Sequence, residues 1–215
     1  MLEIISTIFS IAILELMLSV DNALVNASLA EELPVPQQKK AIYFGIGIGA
    51  IFRVICLFFA TIIIRNPSVK ILGGLYLCYL AYAHFFRADS KEPALLKQHR
   101  FGKVIAEIAI ADLVFSIDNI VGAVGISSHF SYVVFGVLVG IATMLFITPI
   151  MLVLMGRFPS LIKTAYGIIA YVGLSILADA FLRIHIHEYA TFGLIVAAVI
   201  ATMIIDSRRK SNPSH

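Results

Sequence analysis

The stretch Glu15-Leu-Met-Leu-Ser19-Val-Asp21-Asn22 sets four polar side chains inside an apolar run that extends from Ile4 to about Ala30. The same pattern recurs at Asp112-Leu-Val-Phe-Ser116-Ile-Asp118-Asn119, where a carboxylate is again followed by a serine four residues later and by Asp-Asn at six and seven. We call these segments the first and second octets. A second copy at a matching place in the chain indicates an internal duplication.

The composition around the octets is that of a polytopic membrane protein. The chain has 215 residues, of which 60% are hydrophobic and only 13% are charged, and its mean hydropathy is +0.97. Soluble domains are about half apolar and about a quarter charged. The first apolar run is too long for a signal peptide and carries Glu3 where a positive region would stand, so we expect an uncleaved first span. Cys56 and Cys78 lie inside apolar runs, which favours packing roles over a disulfide or a metal pair.

Seven apolar runs are long enough to cross about 30 Å of hydrocarbon as helices. They comprise residues 4–30, 41–64, 69–87, 104–126, 131–155, 161–183 and 189–205. Short connectors rich in Pro and charged residues separate most of them, and none is long enough for an extramembrane domain. We therefore predict an all-α membrane protein with seven transmembrane helices and a single transmembrane domain over residues 1–215.

The distribution of Lys and Arg predicts the orientation, because cytoplasmic connectors carry an excess of both. One side carries only Arg65, Lys70 and Arg183. The other carries Lys39, Lys40, Arg87, Lys91, Lys97, Arg100, Lys103, Arg157, Lys163, Arg208, Arg209 and Lys210. The prediction is a multi-pass protein of the plasma (cell inner) membrane with its N-terminus outside and its C-terminus in the cytoplasm. The net charge of +3 then has a topological cause and does not predict nucleic acid binding.

The duplication extends beyond the octets. Gly45 and Gly49 match Gly136 and Gly140, Arg65-Asn66-Pro67 matches Arg157-Phe158-Pro159, and Gly74 matches Gly167. We predict one repeat over about residues 1–90, a second over about 101–184, and an appended helix over about 189–205. Because each repeat has three spans, the second enters the membrane from the opposite side, as in the inverted repeats of many secondary transporters. That plan brings the two octets together near the bilayer midplane.

The octets have the composition of a metal site. A carboxylate at the centre of a membrane helix costs at least about 2.5 kcal/mol, so all four acids are expected to face the protein interior. Carboxylates, amides and hydroxyls suit hard divalent ions such as Mn²⁺, Ca²⁺ or Mg²⁺ and disfavour Zn²⁺ or Cu⁺. The predicted metal-binding residues are Glu15, Ser19, Asp21, Asn22, Asp112, Ser116, Asp118 and Asn119. Arg53, a cation inside a span, is either a counter-ion for the acids when metal is absent or half of a permanent salt bridge.

Helix geometry leaves two arrangements open for each octet. Glu15, Ser19 and Asn22 fall on one stripe of an ideal helix, whereas Asp21 points about 120° away. Either the acids serve different neighbours, or the helix is interrupted near residues 19–22. Ser, Asp and Asn are poor helix-interior residues, which favours an interruption. A simpler alternative for the Ser and Asn residues is that they form hydrogen bonds between helices.

At these residues the sequence resembles the TerC family of integral membrane proteins, whose members carry Glu-x3-Ser-x-Asp-Asn in span one and a related Asp-containing element in span four. The resemblance extends to Gly73-Gly74-Leu75-Tyr76-Leu77 and to His185-Ile186-His187-Glu188-Tyr189. It implies export of manganese or other divalent cations. The short connector after the third span departs from many members, in which that loop is longer.

We therefore expect a secondary transporter and not an enzyme. It is expected to export divalent metal ions, most of all Mn²⁺, in exchange for protons. The expected partners are the metal ion and the lipid bilayer, with a homo-oligomer left open, and no resident cofactor is expected. One alternative is a non-transporting membrane partner that supports folding or metal loading of secreted proteins. An intramembrane aspartyl hydrolase is a more distant alternative, since paired Asp residues would also suit it.

Overall fold

The computed structural model describes residues 2–59, 67–87, 97–126, 129–184 and 188–211. Within these ranges the chain is all-helical, as predicted, and contains no strand. The helices are α1 (Leu2–Glu31), α2 (Val35–Phe58), α3 (Pro67–Arg87), α4 (Lys97–Ile126), α5 (Phe130–Arg157), α6 (Ser160–Leu182) and α7 (Glu188–Ser211). Each predicted span corresponds to one helix. The main differences are that α2 and α4 begin six and seven residues earlier than predicted, that α2 ends at Phe58 where the prediction extended to residue 64, and that α7 ends six residues later.

Prolines and polar caps explain several helix ends. Pro34 and Pro36 flank the first residue of α2, where a missing N–H costs nothing because the first turn has no helical acceptor for it. At the end of α6, Arg183 adopts a left-handed conformation with φ 54°, and its N–H bonds the carbonyl of Asp179 at 3.1 Å. This geometry satisfies a terminal carbonyl and stops the helix.

The N-terminus of α6 is capped by a side chain from α7. The carboxylate of Asp206 accepts a hydrogen bond from the backbone N–H of Ser160 at 3.1 Å and another from its hydroxyl at 2.6 Å. A carboxylate at a helix N-terminus satisfies free N–H groups and is favoured by the helix dipole. Asp206 is buried in this position and so attaches the last helix to the bundle.

Six helices of the described chain are long and apolar enough to cross a membrane: α1, α2, α3, α5, α6 and α7. In α4 the described side chains cover only residues 101–117, so its crossing of the membrane stays a prediction. Large apolar side chains such as Phe9, Phe146 and Phe181 lie on the outer surface of the bundle. That distribution is expected for helices that face lipid.

The helices pack mainly in three pairs, which are α1 with α5, α2 with α4, and α3 with α6. Gly45 and Gly49 of α2 lie against Ile108 and Asp112 of α4, so these two helices run in the same direction. In the same way, Gly136 and Gly140 of α5 lie against Ile11 and Glu15 of α1. The glycines that the sequence matched between repeats therefore occupy corresponding contacts.

The third pair, α3 with α6, is antiparallel. A Cβ atom on Gly74 would lie 3.0 Å from the carbonyl oxygen of Gly173, and a Cβ on Gly173 would lie 3.0 Å from that of Gly74. Gly167, the sequence match of Gly74, has open space where its Cβ would be. One turn before Gly74, the ammonium of Lys70 bonds the carboxylate of Asp179 on α6 at 2.7 Å. The close approach thus depends on Gly173, which the sequence comparison of the repeats did not identify.

Candidate functional site

The first octet lies on an uninterrupted helix. α1 is continuous through residues 19–22, so the predicted interruption there is wrong. The Ser19 hydroxyl donates to the carbonyl of Glu15 at 2.6 Å, within the same helix, and also approaches the carbonyl of Gly140 at 3.3 Å. The hydroxyl therefore finds acceptors without breaking the helix, which removes the reason for expecting a break.

Helix continuity separates the two acids of the first octet. Glu15 and Ser19 are fully buried on the face toward α5. Asp21 is also buried, at 7% exposure, and its carboxylate accepts a hydrogen bond from the backbone N–H of Asn22 at 3.0 Å. Since Asp21 projects about 120° from the Glu15 stripe, the two acids of the octet serve different neighbours.

The second octet lies on α4 and repeats the local bonding of the first. The Ser116 hydroxyl donates to the carbonyl of Asp112, as Ser19 does to Glu15. Asp112 and Ser116 are buried. The side chains of Asp118 and Asn119 lie outside the described residues, as do residues 65–66 and 185–187, so the corresponding predictions stay predictions.

Arg53 of α2 joins the two octets. Its Nε donates to the Ser116 hydroxyl at 2.8 Å, and one terminal nitrogen bonds the Asp112 carboxylate at 3.0 Å. The other terminal nitrogen lies 3.6 Å from the Glu15 carboxylate. Of these three charged side chains, Arg53 and Glu15 are 0% exposed and Asp112 is 1% exposed. The sequence predicted that Arg53 compensates the acids, and the structure shows which two acids it meets.

Two glycines make room for the carboxylates. A Cβ atom at Gly49 would collide with Asp112, and one at Gly140 would collide with Glu15 and lie 3.2 Å from Arg53. Helix backbones can therefore approach both acids closely. In the sequence these glycines stand out only as matching positions of the two repeats. The four-residue spacing within each glycine pair was the signal that could have indicated a close helix contact at the site.

The position of Arg53 has no charged counterpart in the second repeat. The offset of 91 residues between the glycine pairs relates Arg53 to Met144. The sulfur of Met144 lies 3.7 Å from a terminal nitrogen of Arg53, so the two corresponding positions meet at the centre of the bundle. The centre therefore holds two carboxylates, one guanidinium and a soft neutral sulfur, and it is chemically asymmetric.

Among the described side chains, no group of three or more His, Cys, Asp and Glu residues is arranged to hold a metal ion. Glu15 and Asp112 share Arg53, whereas Asp21 lies on another face of α1. In this arrangement the guanidinium lies between one acid from each octet, where a bound cation would also be electrostatically favoured. The site thus holds a positive charge of its own between two buried carboxylates.

A helical bundle with apolar outer surfaces and a buried charged cluster at its centre defines a polytopic integral membrane protein. The model of the integral membrane protein TerC family matches residues 1–213, and the chain belongs to that family. It is 32% identical over 205 residues to the uncharacterized membrane protein YceF of Bacillus subtilis, covering 91% of this chain and 79% of YceF.

More distant relatives match most of this chain. The uncharacterized membrane protein YjbE of Bacillus subtilis is 27% identical over 195 residues, covering 89% of this chain and 88% of YjbE. The UPF0053 protein YegH of Escherichia coli is 22% identical over 225 residues, covering 94% of this chain but only 43% of YegH. No solved structure matches the chain.

Proposed function

We propose that the protein is a secondary transporter that exports a divalent metal ion, Mn²⁺, from the cytoplasm through a site built from both octets. The observation that carries the proposal is the position of Arg53 between Glu15 and Asp112. Fully buried charges are costly, and structure alone does not require two acids and a guanidinium at the centre of a membrane protein. An ionisable cluster inside a membrane bundle is by default a functional site.

Charge balance suggests how such a site would work. Glu15 and Asp112 carry two negative charges and Arg53 one positive charge, which leaves one net negative charge among the three. A dication that bound both carboxylates would compete with the guanidinium for the same oxygens. We propose that Arg53 holds the carboxylates in the absence of metal and releases them when metal binds. Protons that bind the acids after metal release would couple export to proton entry.

Because α1 is continuous, Glu15 and Asp21 point in different directions, and the octet residues divide into two groups. Glu15, Asp112 and Ser116 contact Arg53 directly, and the Ser19 hydroxyl bonds the carbonyl of Glu15, so we propose that these four residues form the central metal-binding group. Asp21 lies on another face, and equal spacing would put Asp118 in the equivalent position on α4. We assign Asp21, Asp118, Asn22 and Asn119 to steps before or after binding at the centre.

The packing of the helices supports the proposed inverted repeats. A two-fold axis in the membrane plane would exchange α1 with α4, α2 with α5, and α3 with α6. It would then make the α1–α5 contact equivalent to the α4–α2 contact, and both pairs run parallel with matching glycines. We propose that α1–α3 and α4–α6 move against each other to expose the site alternately, with all seven helices in the membrane. The N-terminus would be outside and the C-terminus in the cytoplasm, in the plasma membrane.

Metal flux in proteoliposomes tests this function. Mn²⁺ movement is measured with a metal-sensitive dye for the wild type and for a Glu15→Gln/Asp112→Asn double variant, at two pH values and against Ca²⁺, Mg²⁺ and Zn²⁺. We expect flux from the wild type and a loss of at least tenfold in the variant. The matched control is Asp179→Asn, which changes an acid that pairs with Lys70 away from the cluster and is expected to keep the flux.

A wild type with no more Mn²⁺ flux than the double variant would refute the transporter. Under that result, binding partners retained by the double variant would favour the alternative, a membrane protein that supports folding or metal loading of secreted proteins.

A further inference from the structure

Three buried polar side chains lie between the Arg53 cluster and the C-terminal end of α1, outside the bonding described above. Asn22 is 1% exposed, and Asn26 and Thr148 are 0% exposed. The amide oxygen and nitrogen of both asparagines and the hydroxyl of Thr148 have no hydrogen bond to the described residues. Buried polar groups in native proteins nearly always have a hydrogen-bond partner, so we expect these five atoms to contact a ligand.

The register between α1 and α5 indicates that Thr148 lies at a height between Asn22 and Asn26. Ile11 lies against Gly136 and Glu15 against Gly140, and the two helices run in the same direction. Continuing this register by about two turns relates Thr148 to Ala23 of α1, between Asn22 and Asn26. On α5, Thr148 lies one turn beyond Met144, whose sulfur contacts Arg53.

The two asparagines lie on the face of α1 that contacts α5. Asn22 and Asn26 follow Ser19 at spacings of three and seven residues, so they share the face on which the Ser19 hydroxyl approaches the carbonyl of Gly140. At 1.5 Å per residue they lie about 5 to 10 Å along the helix from Ser19. The three side chains therefore form a polar extension of the central cluster and not an isolated group.

A backbone oxygen adds to the same region. Pro149 lies inside α5 and has no N–H, so the carbonyl of Leu145 lacks its usual helical donor. With the two amide oxygens and the threonine hydroxyl, this carbonyl makes a set of uncharged oxygen donors. Hard divalent cations accept such donors together with water.

The second half of the chain lacks two of these three polar residues. The repeat offsets of 97 and 91 residues relate Asn26 to Ala123 and Thr148 to Leu57, and Pro149 corresponds to Phe58. Asn26 and Thr148 are therefore not a requirement of the repeat fold, since their counterparts are apolar, whereas Asn22 corresponds to Asn119 of the second octet. The polar stripe extends farther beyond the octet in the first repeat than in the second.

We propose that Asn22, Asn26 and Thr148 form a neutral, oxygen-donor subsite for a divalent cation. With α1 entering from outside, the subsite lies on the cytoplasmic side of Glu15, where an exported ion arrives before it meets the charged cluster. The identity of the ion rests on the proposed function, but the subsite itself rests on the buried amides. Because the donors are uncharged, the subsite holds the ion less tightly than the carboxylates and passes it on.

Mn²⁺ binding to the purified full-length protein tests the subsite. Free Mn²⁺ is counted by electron paramagnetic resonance during a titration of the wild type, of Asn26→Leu/Thr148→Val, and of Ser28→Ala. Ser28 is the matched control, because it is buried on the same helix but its hydroxyl already bonds the carbonyl of Val25 at 2.7 Å. We expect the wild type to bind one Mn²⁺ tightly and a second more weakly, the double variant to lose at least tenfold in affinity for the second ion only, and the control to keep both affinities within twofold of the wild type.

A second variant keeps the test decisive if the double variant does not fold. Asn26→Asp is nearly isosteric and adds a charged oxygen, so it should tighten Mn²⁺ binding severalfold. An affinity for the second Mn²⁺ that stays within twofold of the wild type in Asn26→Leu/Thr148→Val, an unchanged affinity for it in Asn26→Asp, or a wild type that binds no second Mn²⁺ would each overturn the subsite. Mn²⁺ bound at the subsite without any flux would refute the transporter and leave the subsite standing.

Discussion

The guanidinium of Arg53 lies 3.0 Å from the carboxylate of Asp112, and both side chains are closed off from the surface of the bundle. The same guanidinium reaches Glu15 at 3.6 Å, so a single residue of α2 connects α1 with α4. This relationship turns two separate sequence segments into one site. Replacing Arg53 is therefore expected to reduce the stability of the protein.

Arg53→Ala should lower the free energy of unfolding by about 3–5 kcal/mol, because it leaves two buried carboxylates without their cation. Arg53→Lys should fall between the wild type and Arg53→Ala, since a single ammonium cannot bond Ser116 and Asp112 in the geometry of the guanidinium fork. Thermal unfolding in detergent, followed by circular dichroism, measures both.

The control for this pair is Lys103→Ala. Lys103 is 67% exposed and pairs with Glu107 four residues on at 3.4 Å, and exposed pairs of this kind contribute no more than about 0.5 kcal/mol. Equal stability of Arg53→Ala and Lys103→Ala would mean that the buried acids do not depend on Arg53 for compensation.

Gly49→Ala should destabilise the protein by about 1–3 kcal/mol, because the new methyl group collides with Asp112 and forces the helices apart. Gly47→Ala on the same helix is the matched substitution, since nothing lies within 4 Å of its Cβ position. We expect Gly47→Ala to be neutral or slightly stabilising, because Ala favours helices more than Gly. The fraction of each variant that stays folded after heating, compared with the wild type, distinguishes the two.

Gly140→Ala should behave like Gly49→Ala, because its methyl group would meet Glu15 in the corresponding contact of the α1–α5 pair. If Gly49→Ala and Gly140→Ala were as stable as Gly47→Ala, the carboxylates would have to lie farther from these backbones than the structure places them.

Asp206→Ala should lower the stability by about 1–2 kcal/mol, the usual effect of losing a helix N-cap. The loss should appear as faster hydrogen exchange in the first turn of α6, where the N–H of Ser160 loses its acceptor. Ser207→Ala, at the exposed neighbouring position, is the control. Unchanged exchange at Ser160 in Asp206→Ala would contradict the capping role.

Much of the fold followed from the sequence alone. The apolar runs predicted each helix, the octets predicted the burial of Glu15, Asp21 and Asp112, and the composition predicted a membrane protein. The resemblance at the octets indicated the family to which the chain belongs. The predicted break in the first span was wrong. It rested on the low helix propensity of Ser, Asp and Asn. The Ser19 hydroxyl instead donates to the carbonyl of Glu15, one turn earlier, and the backbone hydrogen bonds of the helix stay intact. Local preference is a weak guide where a helix is enclosed by its neighbours.

The sequence by itself determined which residues are too polar to face lipid, because hydrocarbon penalises every buried charge whatever the surrounding fold. Only the tertiary structure decided which of those charges meet. The pairing of Arg53 with Glu15 and Asp112, the glycines that admit them, the ion pair between Lys70 and Asp179, and the cap from Asp206 all join residues from different helices. Such contacts depend on helix register and crossing, which depend in turn on packing along whole helices and not on any one stretch of sequence.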